Sequence, residues 1–231
     1  KALVKLLDQY FRKERLSDLV KPCIITAYDI ERRKTHFFGQ QDRARKGNGG
    51  DFYIKDVCRA TSAAPACVEA AWVKALSGVS YALVDGGVFA NNPTLCAYSE
   101  VRNANGHPKA KEMFIVSIGT GSQHARYSYK AARNWGSISW IRPLIDIMMS
   151  GASESTNYHL EMMYNAVDAP ENYVRIQPAD MLHAELAMDN ATPENLAALQ
   201  EVGIETAEKH ADQLETIVER LLSGPDPVEF T

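Results

Sequence analysis

Hydrophobic and polar positions follow helical and strand-like spacings in turn along the chain. Short apolar, β-branched runs are typical of buried strands, and apolar residues at intervals of three and four are typical of helices. The strand pattern occurs in residues 22–28, 36–38, 81–84, 113–118 and 173–176, and the helical pattern in 1–15, 54–61 and 92–103. Strands that alternate with helices predict an α/β protein with a mostly parallel central sheet.

The second half of the chain has a weaker pattern. Residues 138–149 are apolar, and two interpretations stay open: a buried helix, which the pattern favours, and a cover that faces lipid. Thr192 and Pro193 suit the cap and first position of a long helix. That helix could extend to Leu222, with a break near Gly203.

Composition restricts the functional classes. The 231 residues are 45% hydrophobic and 23% charged, which suffices for one core, and we expect a single domain over residues 1–231. A net charge of -4 argues against a nucleic-acid-binding protein. Two small basic clusters, 32–34 and 43–46, predict solvated loops, with lipid-headgroup binding as the alternative. The four cysteines lack metal-ligand and disulfide spacing, so we expect buried thiols and no metal.

Segment 81–93 (YALVDGGVFANNP) carries the clearest candidate chemistry. A buried strand delivers Asp85 to its C-terminal end, where Gly86 and Gly87 permit a tight turn. Pro93 suits the start of a helix. Ligands of α/β proteins gather outside the carboxyl ends of strands, and a carboxylate there could activate a nucleophile. The alternative is that Asp85 only caps the turn.

A second segment, 59–65 (RATSAAP), lies upstream of the first. Together they resemble the patatin-like phospholipase family, in which ATSAAP precedes a strand that ends in DGG or DGA and is followed by NNP. Further matches are 22–29 (PCIITAYD), 35–38 (THFF) and 116–121 (VSIGTG). The resemblance is close up to about residue 121 and loose beyond it. It implies a three-layer α/β/α patatin-like (FabD/lysophospholipase-like) fold.

The resemblance also implies a serine–aspartate dyad whose serine lies in a Gly-x-Ser-x-Gly nucleophile elbow. Its aspartate corresponds to Asp85. The turn that supports this aspartate corresponds to Gly86, Gly87, Asn91 and Asn92. The sequence contains neither the elbow nor a glycine-rich oxyanion loop, because Ser117 and Ser153 lack the paired glycines. In the family both elements precede the point where this sequence begins, so we expect a domain truncated at its N-terminus.

The function that the resemblance implies is lipid acyl hydrolysis of the phospholipase A type, with Asp85 as the only dyad residue in the chain. The first alternative is a catalytically silent interaction or regulatory fragment, because the chain holds a base and no nucleophile. The second is an acyl-carrier-protein transacylase, which would pair a serine with a histidine. No histidine follows Asp85 where a Ser–Asp–His enzyme would need one, and Ser62 has no elbow around it.

The implied partners are a lipid ester substrate and, transiently, a membrane surface, whereas no nucleic acid is expected. A Ser–Asp dyad needs no metal, and no loop with clustered oxygen ligands is visible, so we expect neither calcium nor another cofactor. The expected location is the cytoplasm, with peripheral contact at membranes. The lipid, the ester position and the oligomeric state stay open.

Overall fold

The computed structural model describes most of the chain. The described residues are 2–40, 50–104, 106–121, 127–185, 187 and 190–223. They divide into two compact units. The first comprises the residues up to His107 together with Gly151–Glu154, and the second comprises Pro108–Ser150 and the residues from Ser155 onwards.

The first unit contains a four-stranded sheet and four of the described helices. Their bounds are α1 (Ala2–Phe11), β1 (Ile24–Asp29), β2 (Lys34–Gly39), α2 (Ile54–Thr61), β3 (Ala71–Lys74), β4 (Ser80–Asp85), α3 (Gly87–Ala90) and α4 (Thr94–Arg102). The strand order is β2-β1-β4-β3, and every neighbouring pair is antiparallel. The predicted helices and strands of this region are therefore present, together with β3 and α3, which were not predicted.

The α/β class is confirmed, but a mostly parallel central sheet is not. β1 and β2 are joined by residues 30–33, and β3 and β4 by residues 75–79. A parallel pair needs a crossover of a dozen or more residues, so connections this short permit only antiparallel hairpins. β3 alternates buried and exposed side chains over only four residues, and so short a pattern does not identify a strand.

The core of the first unit lies between the sheet and α2. It is built from aliphatic and aromatic side chains, with alanine the most frequent: Leu16, Ala27, Phe38, Phe52, Val57, Ala60, Ala63, Ala71, Val73, Ala75 and Leu83. The ring of His36 packs among the aromatic members, with centroids 4.5 Å from Phe38, 5.8 Å from Phe52 and 4.8 Å from Tyr81. His36 is thus a packing residue of this cluster.

The β1–β2 turn is held by Asp29, which is 2% exposed. Its Oδ1 accepts two backbone N–H groups of the turn, and its Oδ2 accepts Nη1 of Arg32 at 2.6 Å. The same guanidinium lies 4.7 Å from the centroid of Tyr81. Arg32, the first residue of the basic cluster 32–34, is therefore a structural part of the hairpin. The cluster 43–46 lies outside the described residues.

The remaining elements belong mainly to the second unit. They are β5 (Ile115–Ile118), α5 (Tyr129–Ala132), α6 (Ser137–Ala166), β6 (Tyr173–Ile176), α7 (Pro193–Lys209) and α8 (Ala211–Ser223). β5 and β6 form a parallel pair, from Ile115 opposite Tyr173 to Ile118 opposite Ile176. Buried Tyr164 donates from its hydroxyl to the carbonyl of Met113, 3.2 Å away, and so ties α6 to the start of β5.

Three expectations for the second half are tested directly. Segment 138–149 is helical, but most of its apolar side chains are exposed, so the interpretation as a buried helix is wrong. Thr192 caps α7, and Pro193 is its first residue, as predicted. Gly203 lies inside α7, and the break falls at His210 instead. A single glycine costs a helix only about 1 kcal/mol, which a packed helix tolerates.

No helix within the described residues combines the length and the apolar character needed to cross a membrane.

Candidate active site

Asp85 is the last residue of β4, opposite Ala27 of β1. Its side chain is half-buried. Its backbone N–H donates to the carbonyl of Ala63 at 3.0 Å. This bond joins segment 59–65 to segment 81–93, so the two motifs that carry the family resemblance are in direct contact.

Among the described residues, the Asp85 carboxylate is held through one of its two oxygens. Oδ1 accepts the backbone N–H of Gly87 at 2.7 Å, which closes a turn of the Asx type. Within the part of the chain that the structure describes, Oδ2 accepts no hydrogen bond. One oxygen therefore fixes the orientation of the carboxylate, and the other can accept a proton.

Gly86 lies against the backbone of β1. A Cβ at this position would overlap both the hydroxyl and the carbonyl oxygen of Thr26, and a backbone carbonyl cannot rotate away. The same Thr26 carbonyl accepts the hydroxyl of Thr61 at 2.9 Å. Thr26 thus links both motifs to β1. The sequence offers no signal for its role, because the contact depends on the antiparallel β1–β4 register.

The second glycine starts a helix instead of a longer turn. Gly87 is the first residue of α3, and Phe89 of this helix packs against the hairpin of the first unit. Its ring centroid lies 6.4 Å from Tyr28 and 5.7 Å from Phe37. The contacts of Phe89 hold α3 on the sheet, directly after the candidate base.

The two asparagines lie between α3 and α4. Asn91 follows the last residue of α3 and is exposed. Asn92 is buried, and its Oδ1 accepts the backbone N–H of Thr94 at 3.1 Å and the Thr94 hydroxyl at 2.5 Å. These bonds start α4 one residue after Pro93. Among the described residues, Nδ2 of Asn92 has no hydrogen-bond partner.

Three other nucleophilic side chains among the described residues are engaged or protonated. The Ser62 hydroxyl donates to the carbonyl of Cys58 at 2.7 Å, within its own helical turn. Burial raises the pKa of the Cys58 thiol, which disfavours the reactive thiolate. In the second unit, Ser117 is 3% exposed and its hydroxyl accepts Nη1 of Arg175 at 2.8 Å. None of these three groups is positioned as an activated nucleophile.

The second unit contains a polar cleft of about 340 Å³. Its lining residues are Glu161, Tyr164, Asn165, Pro170, Tyr173 and Arg175. Burial raises the pKa of the Tyr173 hydroxyl, although Ser117 and Arg175 act in the opposite direction. The Tyr173 hydroxyl donates to Oδ1 of Asn157 at 2.7 Å. The cleft includes no residue of the candidate active site.

Comparisons with known proteins show which sequences the chain resembles. Residues 1–98 match the family model for patatin-like phospholipase. The chain is 31% identical to patatin-like protein 1 of Arabidopsis thaliana over 225 residues, which cover 88% of the chain and 54% of that protein. It is 30% identical to patatin-like protein 2 of Arabidopsis thaliana, with 90% of the chain and 56% of that protein covered. The chain is 28% identical to patatin-like protein 2 of Oryza sativa subsp. indica, with 93% of the chain and 58% of that protein covered. The chain spans about half the length of these relatives.

Proposed function

Because the chain belongs to the patatin-like phospholipase family, as its identity to the two Arabidopsis thaliana proteins shows, we propose that it supplies the base of a Ser–Asp lipid acyl hydrolase. The proposed reaction is hydrolysis of a carboxylic ester bond in a lipid, of the phospholipase A type. The proposed base is Asp85. Gly86, Gly87, Asn91 and Asn92 are proposed to support it without touching the reacting atoms.

The observation that carries the proposal is the one-sided hold on the Asp85 carboxylate. Gly87 engages Oδ1, the carbonyl of Ala63 engages the backbone N–H, and within the described chain Oδ2 is left to accept a proton. A general base must be oriented and must keep a lone pair available toward its proton donor. An aspartate that only capped the turn would also be oriented, but it would not need an available lone pair on Oδ2.

The proposed mechanism is the Ser–Asp dyad that the family resemblance implies, with Asp85 as its base. A serine hydroxyl attacks the ester carbonyl while its proton moves to Oδ2 of Asp85, and a tetrahedral intermediate forms. The intermediate collapses, the C–O bond to the leaving alcohol breaks, and the alcohol takes the proton. Water then attacks the acyl-enzyme as Asp85 accepts its proton, which releases the fatty acid and restores the serine. The 231 residues contain no Gly-x-Ser-x-Gly, so the serine must come from sequence outside them.

A fluorophosphonate probe tests the proposal, because it labels only an activated serine. The 25.6 kDa chain should gain no adduct, whereas a longer polypeptide that adds an upstream Gly-x-Ser-x-Gly should gain one and should hydrolyse lipid esters. In that longer polypeptide, Asp85→Asn should lower kcat/KM for ester hydrolysis by about 100-fold or more. Asp56→Asn, at a half-buried aspartate of the same unit, is the matched control and should keep the activity. Equal activity of the Asp85 and Asp56 variants would exclude Asp85 as the base.

Two other functions give different results in the same assays. A silent interaction fragment predicts that the longer polypeptide gains no adduct and hydrolyses no ester. A transacylase predicts acyl transfer to the thiol of an acyl carrier protein in preference to water, together with loss of activity when one histidine is replaced. His36 is an unsuitable partner for such a serine, because its ring is packed among Phe38, Phe52 and Tyr81.

A further inference from the structure

The first half of α6 presents apolar side chains to solvent instead of to a core. Four of them share one face at positions 138, 141, 145 and 148, and three more continue this face around the helix. We call this surface the α6 apolar face. Its residues, with their exposed fractions, are Ile138 (85%), Trp140 (37%), Ile141 (57%), Leu144 (48%), Ile145 (46%), Ile147 (45%) and Met148 (59%). Pro143, which points away from this face by the helical spacing, is buried.

A run of seven exposed apolar side chains on one helix is a candidate interaction site, because single exposed apolar residues are ordinary and contiguous ones are not. Its surroundings are aromatic. The Trp135 ring packs edge-on against Trp140 at 5.0 Å and against Tyr127 at 5.4 Å. Tyr129, in the same stretch, is 79% exposed. Tryptophan and tyrosine suit the boundary between water and hydrocarbon, because each combines an apolar ring with a polar group.

The charge of this stretch is opposite to that of the whole chain. Residues 127–150 contain three basic side chains and one acidic side chain, within a chain of net charge -4. The acidic residue, Asp146, accepts the Tyr127 hydroxyl at 2.9 Å. Lys130 and Arg133 lie on the exposed stretch that leads into α6. A helix with an exposed apolar face, flanking tryptophans and a local positive charge has the features of a segment that lies in an anionic lipid surface.

We propose that the α6 apolar face docks on a lipid surface and that Lys130 and Arg133 favour anionic headgroups. The choice of a lipid partner rests on the proposed function, because a hydrolase of lipid esters must reach substrate in an aggregate. α6 would lie in the plane of the interface, with Ile138, Ile141 and Met148 in the acyl boundary. The binding surface is separate in sequence from Asp85, so binding and hydrolysis can be measured independently.

The test is the binding of the chain to vesicles of ether-linked phosphatidylcholine, with and without ether-linked phosphatidylglycerol. Ether lipids contain no carboxylic ester, so binding is measured without turnover. The result therefore does not depend on whether the chain belongs to a lipid hydrolase. Trp72→Phe removes the tryptophan of β3, and the emission then reports on Trp135 and Trp140 alone. We expect co-flotation with the vesicles and a blue shift of this emission, both stronger with phosphatidylglycerol and weaker at high salt.

Variants identify the surface that binds. The double variant Ile141→Glu, Met148→Glu should lower vesicle affinity by about tenfold or more, since it removes buried apolar area and adds negative charge. The control is Leu221→Glu, Leu222→Glu, at exposed apolar positions of α8, which should change affinity by less than about twofold. Lys130→Glu with Arg133→Glu should abolish the preference for phosphatidylglycerol.

Two results would overturn the proposal. One is vesicle binding that the α6 double variant does not weaken relative to the α8 control. The other is a chain that ignores vesicles but forms a dimer that Ile141→Glu, Met148→Glu dissociates in sedimentation. In that case a second copy of the chain, and not lipid, covers the face. Circular dichroism of each variant distinguishes lost binding from lost fold.

Discussion

The backbone N–H of Asp85 donates a hydrogen bond to the carbonyl of Ala63, with 3.0 Å between nitrogen and oxygen. This bond joins segments 59–65 and 81–93 directly, although β3 lies between them in the sequence. Ala63 is fully buried, so its carbonyl has no access to water and depends on this donor. The end of β4 and the end of α2 are therefore positioned together.

Asp85→Asn and Asp85→Ala should separate the structural role of this side chain from its chemical role. Asparagine keeps an oxygen that accepts the Gly87 N–H, and alanine does not. We expect Asp85→Asn to change the free energy of unfolding of the chain by less than about 0.5 kcal/mol, and Asp85→Ala to lower it by about 1 kcal/mol. Urea unfolding measures both. Equal losses would mean that the bond to Gly87 contributes nothing to the stability of the turn.

Gly86→Ala should be among the most destabilising small substitutions in the first unit. The added Cβ would overlap the Thr26 hydroxyl and carbonyl, and relief requires β1 and the turn to move apart. We expect a loss of roughly 1–3 kcal/mol in the free energy of unfolding. Gly203→Ala is the matched control, because a Cβ there meets nothing within 4 Å and the residue lies inside α7. It should raise stability by about 0.5–1 kcal/mol.

Thr61 and Ser62 are adjacent hydroxyl residues with different partners. The Thr61 hydroxyl reaches across to the Thr26 carbonyl of β1, whereas the Ser62 hydroxyl returns to Cys58 of its own helix. Thr61→Val should therefore cost about 1 kcal/mol of stability, and Ser62→Ala should stay within about 0.5 kcal/mol of the original chain. Thermal unfolding of the two variants side by side measures the difference.

Ser62→Ala also tests the proposed dyad in a longer polypeptide that carries an upstream serine elbow. It should leave fluorophosphonate labelling and ester hydrolysis unchanged, because the Ser62 hydroxyl is engaged within α2 and is no nucleophile in the proposal. Loss of the adduct in this variant would identify Ser62 as the nucleophile and would contradict the proposed dyad.

The sequence predicts the helices and strands of this fold better than it predicts which strands pair with each other. β4 and the turn after it are visible as an apolar run that ends in Asp85 and two glycines, a local signal. The antiparallel β1–β4 pairing, which brings Thr26 to Gly86, is not local and leaves no pattern in either segment. Register between distant strands depends on packing that involves several elements at once.

The apolar segment 138–149 shows a second limit of the same kind. Its composition is equally compatible with a core helix and with an exposed apolar helix, because hydrophobicity does not reveal which face is covered. Exposure is known only once the neighbouring elements are placed, and Ile138 is then 85% exposed. The helix also continues to Ala166, through the small residues around Gly151, where the apolar pattern fades.

The stability of the first unit should depend on pH through Asp29. Burial raises the pKa of this carboxyl. Hydrogen bonds from the backbone N–H and the guanidinium of Arg32, the charge of that guanidinium, and a hydrogen bond from the backbone N–H of Glu31 all lower the pKa. Together they outweigh the effect of burial. The folded-state pKa therefore lies below the ordinary 3.8. Ionised Asp29 stabilises the fold fully above the unfolded pKa, and this contribution is lost as the pH falls from there through the folded pKa.

Asp29→Asn should remove this pH dependence. At neutral pH it should lower the free energy of unfolding by about 1–2 kcal/mol, because the part-buried bond to Arg32 loses one of its two charges. As the pH is lowered below 3.8, the gap between the two proteins should narrow. Asp8→Asn is the control: Asp8 is exposed, and its ion pair with Lys55 at 2.6 Å should contribute less than about 1 kcal/mol. Urea titrations across the acid range measure all three proteins, and a gap for Asp29→Asn that stays constant with pH would contradict the role of its ionised form.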